Sequence, residues 1–553
     1  MERVLWMPDE DVAPLLSVPN ATAFFPSDPV PETRRYSSAN SPTMAVLALG
    51  DTTKTLGIIM LSIFTLPLSL TVTGLLFLAH LIIGYFSRSA SKSQLQYEAN
   101  SNSSHHQKTI LVTGVGMTKG LTLARAFHSQ GHRVLGADFE DALVPSSGRQ
   151  SRSLSSFYSL RKPSSKTLSS SYTAQLVDLV TRENVDLWVS CSGVATAVED
   201  GAAADQIEQS TRCRCVQFNE KITARLHEKN SFIRETVRLG LPVPETHEVA
   251  AHEDVQRVFD RSGKGRRFIM KPVGMDDAHR GNMTLLPLAT SAETEAHVLG
   301  LPISSACPWI VQQFIPGGRE YCSHALVIRG EVRVFTACSS SELLMHYEAL
   351  PAHSQLFRDM LQFTKDFCAR SEESKSMTGH LSFDFMVDEQ GAIHAIECNP
   401  RVHTAVVLFS QPGEVTRDMV RAYLWVLEHG QPDNNGSREA VDEVNGQDHV
   451  AEIVVPHHQI HPRYWIGHDV VELGLLPIIK LIRGGEEAKK VMKSLAELWL
   501  HVRCWKEGSF DARDPLPTLM LYHVYWPLTT AAAWWQGRRW SRINVSTTKM
   551  FMI

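Results

Sequence analysis

The rhythm of polar and apolar positions changes several times along the chain, and each change marks a boundary. From Thr55 to Ser87 the sequence "TLGIIMLSIFTLPLSLTVTGLLFLAHLIIGYFS" contains no Asp, Glu, Lys or Arg. A spanning helix needs about 20 apolar residues, so this run predicts a transmembrane helix over 57–86. The polar, Pro-rich residues before it argue against a signal peptide. Pro67 leaves a kinked or re-entrant hairpin as the alternative. Asp51 and Lys54 precede the run, whereas Arg88 and Lys92 follow it with no acid close by, which places the remainder of the chain in the cytosol. Residues 1–56, rich in Pro, Ser and acid, read as disordered. Residues 87–107, "SRSASKSQLQYEANSNSSHHQ", read as a tether in which His105 and His106 are solvated.

At residue 108 the pattern becomes that of an α/β domain. "ILVTG" is a short apolar strand, "LTLARAFHSQG" has helical spacing stopped at Gly131, and "HRVLGAD" is a second strand. Residues 108–218 are therefore expected to form a Rossmann-like, doubly wound domain. Gly114, Gly116 and Gly120, with Asp138 downstream, approach a dinucleotide fingerprint, but their G-x-G-x-x-x-G spacing is one residue too long. Tyr158 and Lys162 imitate the Tyr-x-x-x-Lys pair of short-chain dehydrogenases, which needs a helix; here the pair sits among serines just before Pro163. A scaffold without a nucleotide is the expectation, and a redox domain the rival.

From residue 219 to 427 strands and helices alternate, and chemistry accumulates. "EKITARLHEKNSFIRETVRLGLPVPET" is helical and carries Lys229. "GRRFIMKPVGMDDAHRGNMTLL" is a strand ending at Lys271, a polar loop and a second strand. "PWIVQQFIPGGREYCSHALVIRGEVRV" is a strand, a Pro-Gly-Gly turn, Glu320 and another strand. "GHLSFDFMVDEQGAIHAIECNPR" alternates apolar and polar positions around an Asp-Glu-Gln-Gly turn, the mark of a β-hairpin. Glu397 and Asn399, two apart, point to one face, and Asp384 on the partner strand reaches the same face. Two carboxylates and an amide oxygen suit a hard cation such as Mg²⁺ carrying phosphates; without one the carboxylates would repel and tend to neutralise. A solvated sheet face with incidental acids is the bland alternative.

Composition narrows the field. The formal net charge of −5 gives no sign of the basic face that a nucleic-acid partner requires. The nine cysteines form no CxxC pair, which argues against structural zinc and against a disulfide framework, and fits reduced cysteines in a cytosolic domain. Residues 428–450, including "GQPDNNGSREAVDEVNGQDH", read as a flexible linker. In 451–553, Trp526, Trp534, Trp535 and Trp540 alternate with Arg538, Arg539 and Arg542. That mixture suits a membrane–water interface, with an aromatic helix packed on the catalytic domain as the rival. His457, His458 and His461 lack acidic companions for a metal role.

The hairpin and the lysines resemble the ATP-grasp superfamily over about 219–427, with "ECNPR" a form of its signature strand. The resemblance implies a two-lobed fold preceded by a Rossmann-like domain, with ATP and Mg²⁺ (or Mn²⁺) as cofactors. Asp384, Glu397 and Asn399 would be the metal ligands, and Lys229 and Lys271 the phosphate-binding lysines. The hinge residues Gln313, Phe314 and Ile315 would hold adenine through backbone groups, Glu320 the ribose hydroxyls, and Arg401 the reacting oxyanion. The loop "PVGMDDAHRGN" departs from that pattern in being glycine-poor. His403, two residues past Arg401, either exchanges a proton with the amine or is a structural hydrogen-bonder.

More narrowly, "VTGVGMTKGLTLARAFHSQGHRV", "PWIVQQFIPGGREYCSH", "LSFDF", "AIECNPRVHTAV" and "DPLPTLMLYHVYWPL" resemble the mycosporine-glycine synthases, across most of residues 57–540. That likeness implies ligation of a cyclohexenone, 4-deoxygadusol, to an amino acid, glycine in the best-known members, with ATP cleaved to ADP and phosphate. The alternatives are another ATP-grasp ligase acting through an acyl phosphate, and a membrane-anchored scaffold without catalysis.

Overall fold

The computed structural model describes residues 51–90, 107–141, 143–163, 169–191, 193, 196–263, 265–273, 284–340, 345–411, 413–428, 452–457, 459–485 and 487–552. Of the expected disorder of 1–56, residues 1–50 lie outside this set, as do His105 and His106, nearly all of the loop after Lys271, residues 429–450 of the expected 428–450 linker, and His458; residues 51–56, and 87–90 of the expected tether, are helical instead.

Helix α1 (Asp51–Ala90) runs unbroken through Pro67, so the re-entrant hairpin does not form. Hydroxyls support the helix around the proline: Thr65 donates to the Leu61 carbonyl at 2.7 Å and Thr71 to that of Pro67 at 2.8 Å. It is the one helix among the described residues long and apolar enough, by length and composition, to cross a membrane.

Next comes a parallel sheet built from β1 (Thr109–Thr113), β2 (Arg133–Phe139), β3 (Ser156–Leu160), β4 (Leu187–Val189) and β5 (Arg214–Val216), in the order β3-β2-β1-β4-β5. Its helices are α2 (Thr118–Ser129), α3 (Ser169–Glu183) and α4 (Ala197–Ser210). β1 and β4 are buried throughout their apolar positions, as parallel strands covered on both faces must be. The glycine-rich turn after β1 is closed by the chain itself. Asp138 accepts from the Gly116 N–H, from the Ser146 hydroxyl at 3.3 Å and from the Phe139 N–H at 2.7 Å. Burial pushes its carboxyl up to about 6. Ser147 donates to the Gly116 carbonyl at 2.8 Å, so residues 146–150 occupy the crevice where a dinucleotide would lie. Tyr158 is on strand β3, with no helix to align it with Lys162.

Helices α5 (Glu220–His227) and α6 (Lys229–Arg238) follow, α5 capped by Asn219, which accepts from the Ile222 N–H at 2.8 Å. A small lobe contains β6 (Thr246–Val249), α7 (His252–Arg261), β7 (Phe268–Pro272), α8 (Ser291–Leu299) and β8 (Trp309–Gln313). Its antiparallel sheet, β6-β8-β7, closes a separate core around Phe268, Met270, Val298 and Trp309. The larger sheet, β10-β9-β12-β13, comprises β9 (Arg319–Ile328), β10 (Glu331–Ser339), β12 (Gly379–Val387) and β13 (Ile393–Asn399), with β11 (His346–Tyr347) and α9 (Gln355–Arg370) between β10 and β12. Alternation along β12 sends Phe383 and Phe385 against α9, where Phe363 meets Phe385 and Phe367 meets Phe383 with ring centroids 5.1 Å apart. The same alternation turns Asp384 to the opposite face.

Beyond α10 (Glu414–Glu428) lie β14 (Arg463–Tyr464), α11 (Ile466–Asp469), α12 (Leu476–Ile482), α13 (Ala488–Cys504), β15 (Lys506–Glu507), α14 (Leu516–Met520), α15 (Trp526–Trp535) and the hairpin β16 (Trp540–Asn544)–β17 (Lys549–Met552). π-Helical turns, Val470–Leu475 and Leu521–Tyr525, join α11 to α12 and α14 to α15. Much of this region packs on the body. Trp465 is fully buried and donates to Thr118 at 3.2 Å, and Asp514 accepts from Arg125 at 2.9 Å and Ser151 at 2.6 Å. The packed aromatic helix is thus realised at Trp526, while Trp534 and Trp535 stay exposed.

A side chain at Gly120 would put its Cβ 2.3 Å from the Gly114 carbonyl, the turn's own backbone. Gly120→Ala is expected to destabilise the protein by about 1–3 kcal/mol through overpacking, read as a lower midpoint in denaturant titration.

Candidate active site

The hairpin β12–β13 brings the expected metal ligands together. Asp384 and Glu397 are direct cross-strand partners, Ser382 pairs Asn399, and a bulge follows at Phe385. Two carboxylates opposed on one face repel unless something cationic intervenes. Asn399 Nδ2 donates to Asp384 at 3.1 Å, and Lys229 Nζ, in the first turn of α6, lies 3.4 Å from Glu397. On the neighbouring strand Glu320 pairs Met386 and accepts from the Ser340 hydroxyl at 3.0 Å. Burial first, then the charges of Glu397 and Glu320, hold the Asp384 carboxyl well above its ordinary range, against the pull of Arg401 and Lys229. The face thus gathers three acidic side chains, Asp384, Glu397 and Glu320.

Lys271 stands at the end of β7, half-buried, and donates to Gln312 at 3.3 Å. The hinge between the lobes runs from Gln313 through Pro316 into β9. Its backbone is partly committed: the Gln313 N–H donates to the Glu245 carbonyl at 2.7 Å and that of Phe314 to Arg267 at 2.8 Å. Adenine would therefore meet the hinge through groups other than these two donors. Gly317 has φ +63°, and a Cβ on Gly318 would lie 2.7 Å from the Met386 side chain, so the turn fits closely over the hairpin.

Arg401 and His403 lie past the end of β13, so the two-residue spacing does not set them on one strand face. Ser382 donates to the Arg401 carbonyl at 3.1 Å, fixing the backbone there. His403 instead caps the short 3₁₀ helix Thr404–Phe409, its Nδ1 accepting from the Ala405 N–H at 3.2 Å. Burial, with His324, Lys119 and Arg401 nearby, lowers it to about 3. A base that weak is a poor proton carrier at neutral pH. These contacts fit the second of the two roles the sequence left open for His403, that of a structural hydrogen-bonder.

Lys119 is the residue that pattern reading missed. It sits in the first turn of α2, buried, and donates to the Val402 carbonyl at 2.9 Å. Burial, and then the charge of Arg401, lower its amine to about 7. His324 is likewise held near 3 by burial, and buried His380 bonds the Tyr423 hydroxyl at 2.9 Å. The signal lay in the sequence: Lys119 shares a helix face with Leu123, which is fully buried.

Other candidates do not gather around this centre. The His457 ring accepts from the Gln459 N–H at 3.2 Å, and His461 contacts the Cys504 carbonyl at 3.2 Å. Among the described residues, the other cluster with metal-type ligands is His346, Asp469 and His501. There the buried Asp469 already bonds both imidazoles, at 2.8 and 2.7 Å.

No family model matches the sequence, and no curated protein does. Among solved structures, the chain is similar to an L-amino acid ligase from Bacillus licheniformis at 14% identity and TM-score 0.38, covering 55% of this chain and 69% of that one. It is also similar to N5-carboxyaminoimidazole synthetase from Staphylococcus aureus complexed with ADP, at 12% identity and TM-score 0.43, covering 59% and 78%. A third is the biotin carboxylase domain of 2-oxoglutarate carboxylase from Hydrogenobacter thermophilus in complex with MgADP, at 14% identity and TM-score 0.41, covering 57% and 70%.

The Asp384 carboxyl binds its proton more tightly folded than unfolded, so ionising it weakens the metal-free fold. That penalty is absent below the unfolded value of 3.8 and grows as pH rises above it. Asp384→Asn is therefore expected to raise the melting temperature of metal-free protein at neutral pH, with the gain shrinking on acidification. Added Mg²⁺ should stabilise the parent and not the variant.

Proposed function

We propose that the chain is an ATP-dependent ligase of the ATP-grasp type, joining an amino acid to an oxygen-activated small molecule. The observation that carries this reading is the opposed pair Asp384 and Glu397, with Asn399, Lys229 and Arg401 beside it. The donor set fits Mg²⁺: oxygen ligands only, and more negative charge than the neighbouring cations balance. Asp384, Glu397 and Asn399 would hold the ion, the amide turning over to present its oxygen. Bound there, Mg²⁺ supplies neutralisation of phosphate charge.

The chain's own residues do the rest. Lys271 and Lys229 take the phosphates as point charges, the hinge around Gln313, Phe314 and Ile315 takes the adenine edge, and Glu320 the ribose hydroxyls. Arg401 holds the acceptor's oxyanion through its planar fork while that oxygen attacks the γ-phosphorus and ADP leaves. The amine then adds to the carbon bearing the phosphorylated oxygen and inorganic phosphate departs, so the products are ADP, phosphate and the C–N adduct. Lys119, with an amine near 7, faces the Arg401 turn from the first domain and would hold the acceptor side. His403 positions that turn. For substrates we propose the cyclohexenone 4-deoxygadusol and glycine, on the strength of the motifs "AIECNPRVHTAV" and "VTGVGMTKG". The apolar α1 would keep the enzyme at a membrane, with its catalytic residues in the cytosol.

Purified protein with Mg-ATP, 4-deoxygadusol and glycine, serine or glutamine should release ADP and phosphate and form an ultraviolet-absorbing adduct. Mass spectrometry finding AMP, or no adduct with any amine, defeats this substrate assignment. Glu397→Gln should lower turnover by about a thousandfold or more with the fold intact. Near-normal activity of that variant with Mg²⁺ would defeat the metal site. Lys119→Met should lower kcat/KM for the acceptor about ten- to a hundredfold and leave the KM for ATP unchanged.

A further inference from the structure

Helix α1 is apolar over most of its circumference, but one side of it is covered. A stripe of covered positions recurs every three or four residues, through Thr55, Ile58, Ser62, Thr65, Ser69 and Thr73, and on to His80. Its polar members are flanked by covered Ile59, Leu61, Leu66, Leu76 and Phe77. The opposite face is apolar and open: Phe64 is 84% exposed, Leu81 71%, Leu68 68% and Met60 63%. So large an exposed apolar face marks a binding surface.

What covers the polar stripe decides how the helix sits. Near its start, Lys54 Nζ donates to the Trp540 carbonyl at 3.0 Å, and Thr52 accepts from the Trp534 indole at 3.0 Å. Midway, His523 meets Ser62 at 3.2 Å and Ser69 at 2.8 Å. Further on, the Arg152 guanidinium lies 5.3 Å from the centre of the Phe77 ring. Both ends of this path are tied to the water-facing body. Thr118, beside Lys119, donates its N–H to the Ser546 carbonyl at 3.0 Å, just beyond Trp540. Arg152 donates its own N–H to the buried Asp514 at 2.8 Å.

From Lys54 to Phe77 the helix rises roughly 35 Å, more than the hydrocarbon core of about 30 Å. A spanning helix meets a soluble domain at one end. Here the body touches it at intervals along that length, and setting it upright would draw Arg152, Asp514 and Arg125 or the Lys54 end into hydrocarbon, where charges are costly. We infer that α1 does not cross the bilayer but lies in its plane, sinking the Met60–Phe64–Leu68–Leu81 face into one leaflet, so that the enzyme is monotopic. The flank supports lipid as the occupant: Trp534 and Trp535 are exposed beside exposed Arg538 and Arg539, the aromatic and basic composition of the headgroup layer. The inference is independent of the proposed chemistry.

The test uses the full-length chain, tagged at both termini and expressed in sealed microsomes. An in-plane helix leaves both tags on one side, so external protease removes both, while alkaline carbonate leaves the intact protein in the membrane pellet. Protection of the N-terminal tag alone would overturn the inference in favour of a spanning helix. Phe64→Glu with Leu68→Glu, both on the open face, should lower the membrane-bound fraction about tenfold without lowering the melting temperature. Unchanged binding by that variant overturns the assigned face. A parent protein that is released by carbonate as an oligomer, which the variant converts to monomer, would make the occupant a second copy of the chain.

Discussion

The repulsion between Asp384 and Glu397 is the constraint around which the hairpin β12–β13 and its neighbours are arranged. Register, not flexibility, holds the two carboxylates opposite each other, since slipping β13 by one residue would turn Glu397 to the Phe383 side. The aromatic packing of Phe363 and Phe367 beneath the hairpin resists that slip. Relief must then come from above: Lys229 supplies part of it from the N-terminal turn of α6, and Arg401 acts through space.

Across the domain boundary the chain solves the opposite problem. Around Val402 the surroundings are rich in potential cations, Lys119, His324, His380 and His403, and burial keeps the three histidines neutral. The positive charge beside Arg401 is thereby limited, and Lys119 is brought to a value where its amine exchanges protons near neutrality. An acidic floor on one side and a restrained basic wall on the other thus flank the Arg401 turn.

Much of this was legible in the sequence, for reasons that differ by element. Two-residue alternation in "LSFDFMVD" and "AIHAIECN" forces the ligand face, because strand geometry admits no other outcome. Lys119 was less legible because a single lysine in a helix start normally lies in solvent; its place on the Leu123 face hinted at burial, and its bond to the Val402 carbonyl shows it. The sequence left two roles open for His403, because strand periodicity ends at Asn399 and nothing in the spacing shows that His403 caps the 3₁₀ helix starting at Thr404. The apolar run to Ser87 announced a membrane, but hydrophobicity measures affinity for lipid and not orientation. The orientation resides in the small hydroxyls of one helix face, which are mild enough to vanish in an average over the run.

The membrane helix and the active site turn out to share supports. Trp540 accepts from Lys54 on α1, the strand it begins leads to Ser546, and Ser546 bonds the backbone of Thr118, the residue before Lys119. His523, which touches Ser62 and Ser69, belongs to the π turn between α14 and α15, whose Leu521 and Trp526 join the core that includes Tyr347 and Trp465. Tyr347 in turn packs edge-on against His403, with ring centroids 5.8 Å apart. Removing α1 would therefore strip polar partners from Trp540 and His523 and bare aromatic surface two contacts away from the Arg401 turn. A helix joined only by a flexible tether can be cut away without consequence; α1 is packed along the body, and the contacts that fix it lead to the residues that brace the Arg401 turn.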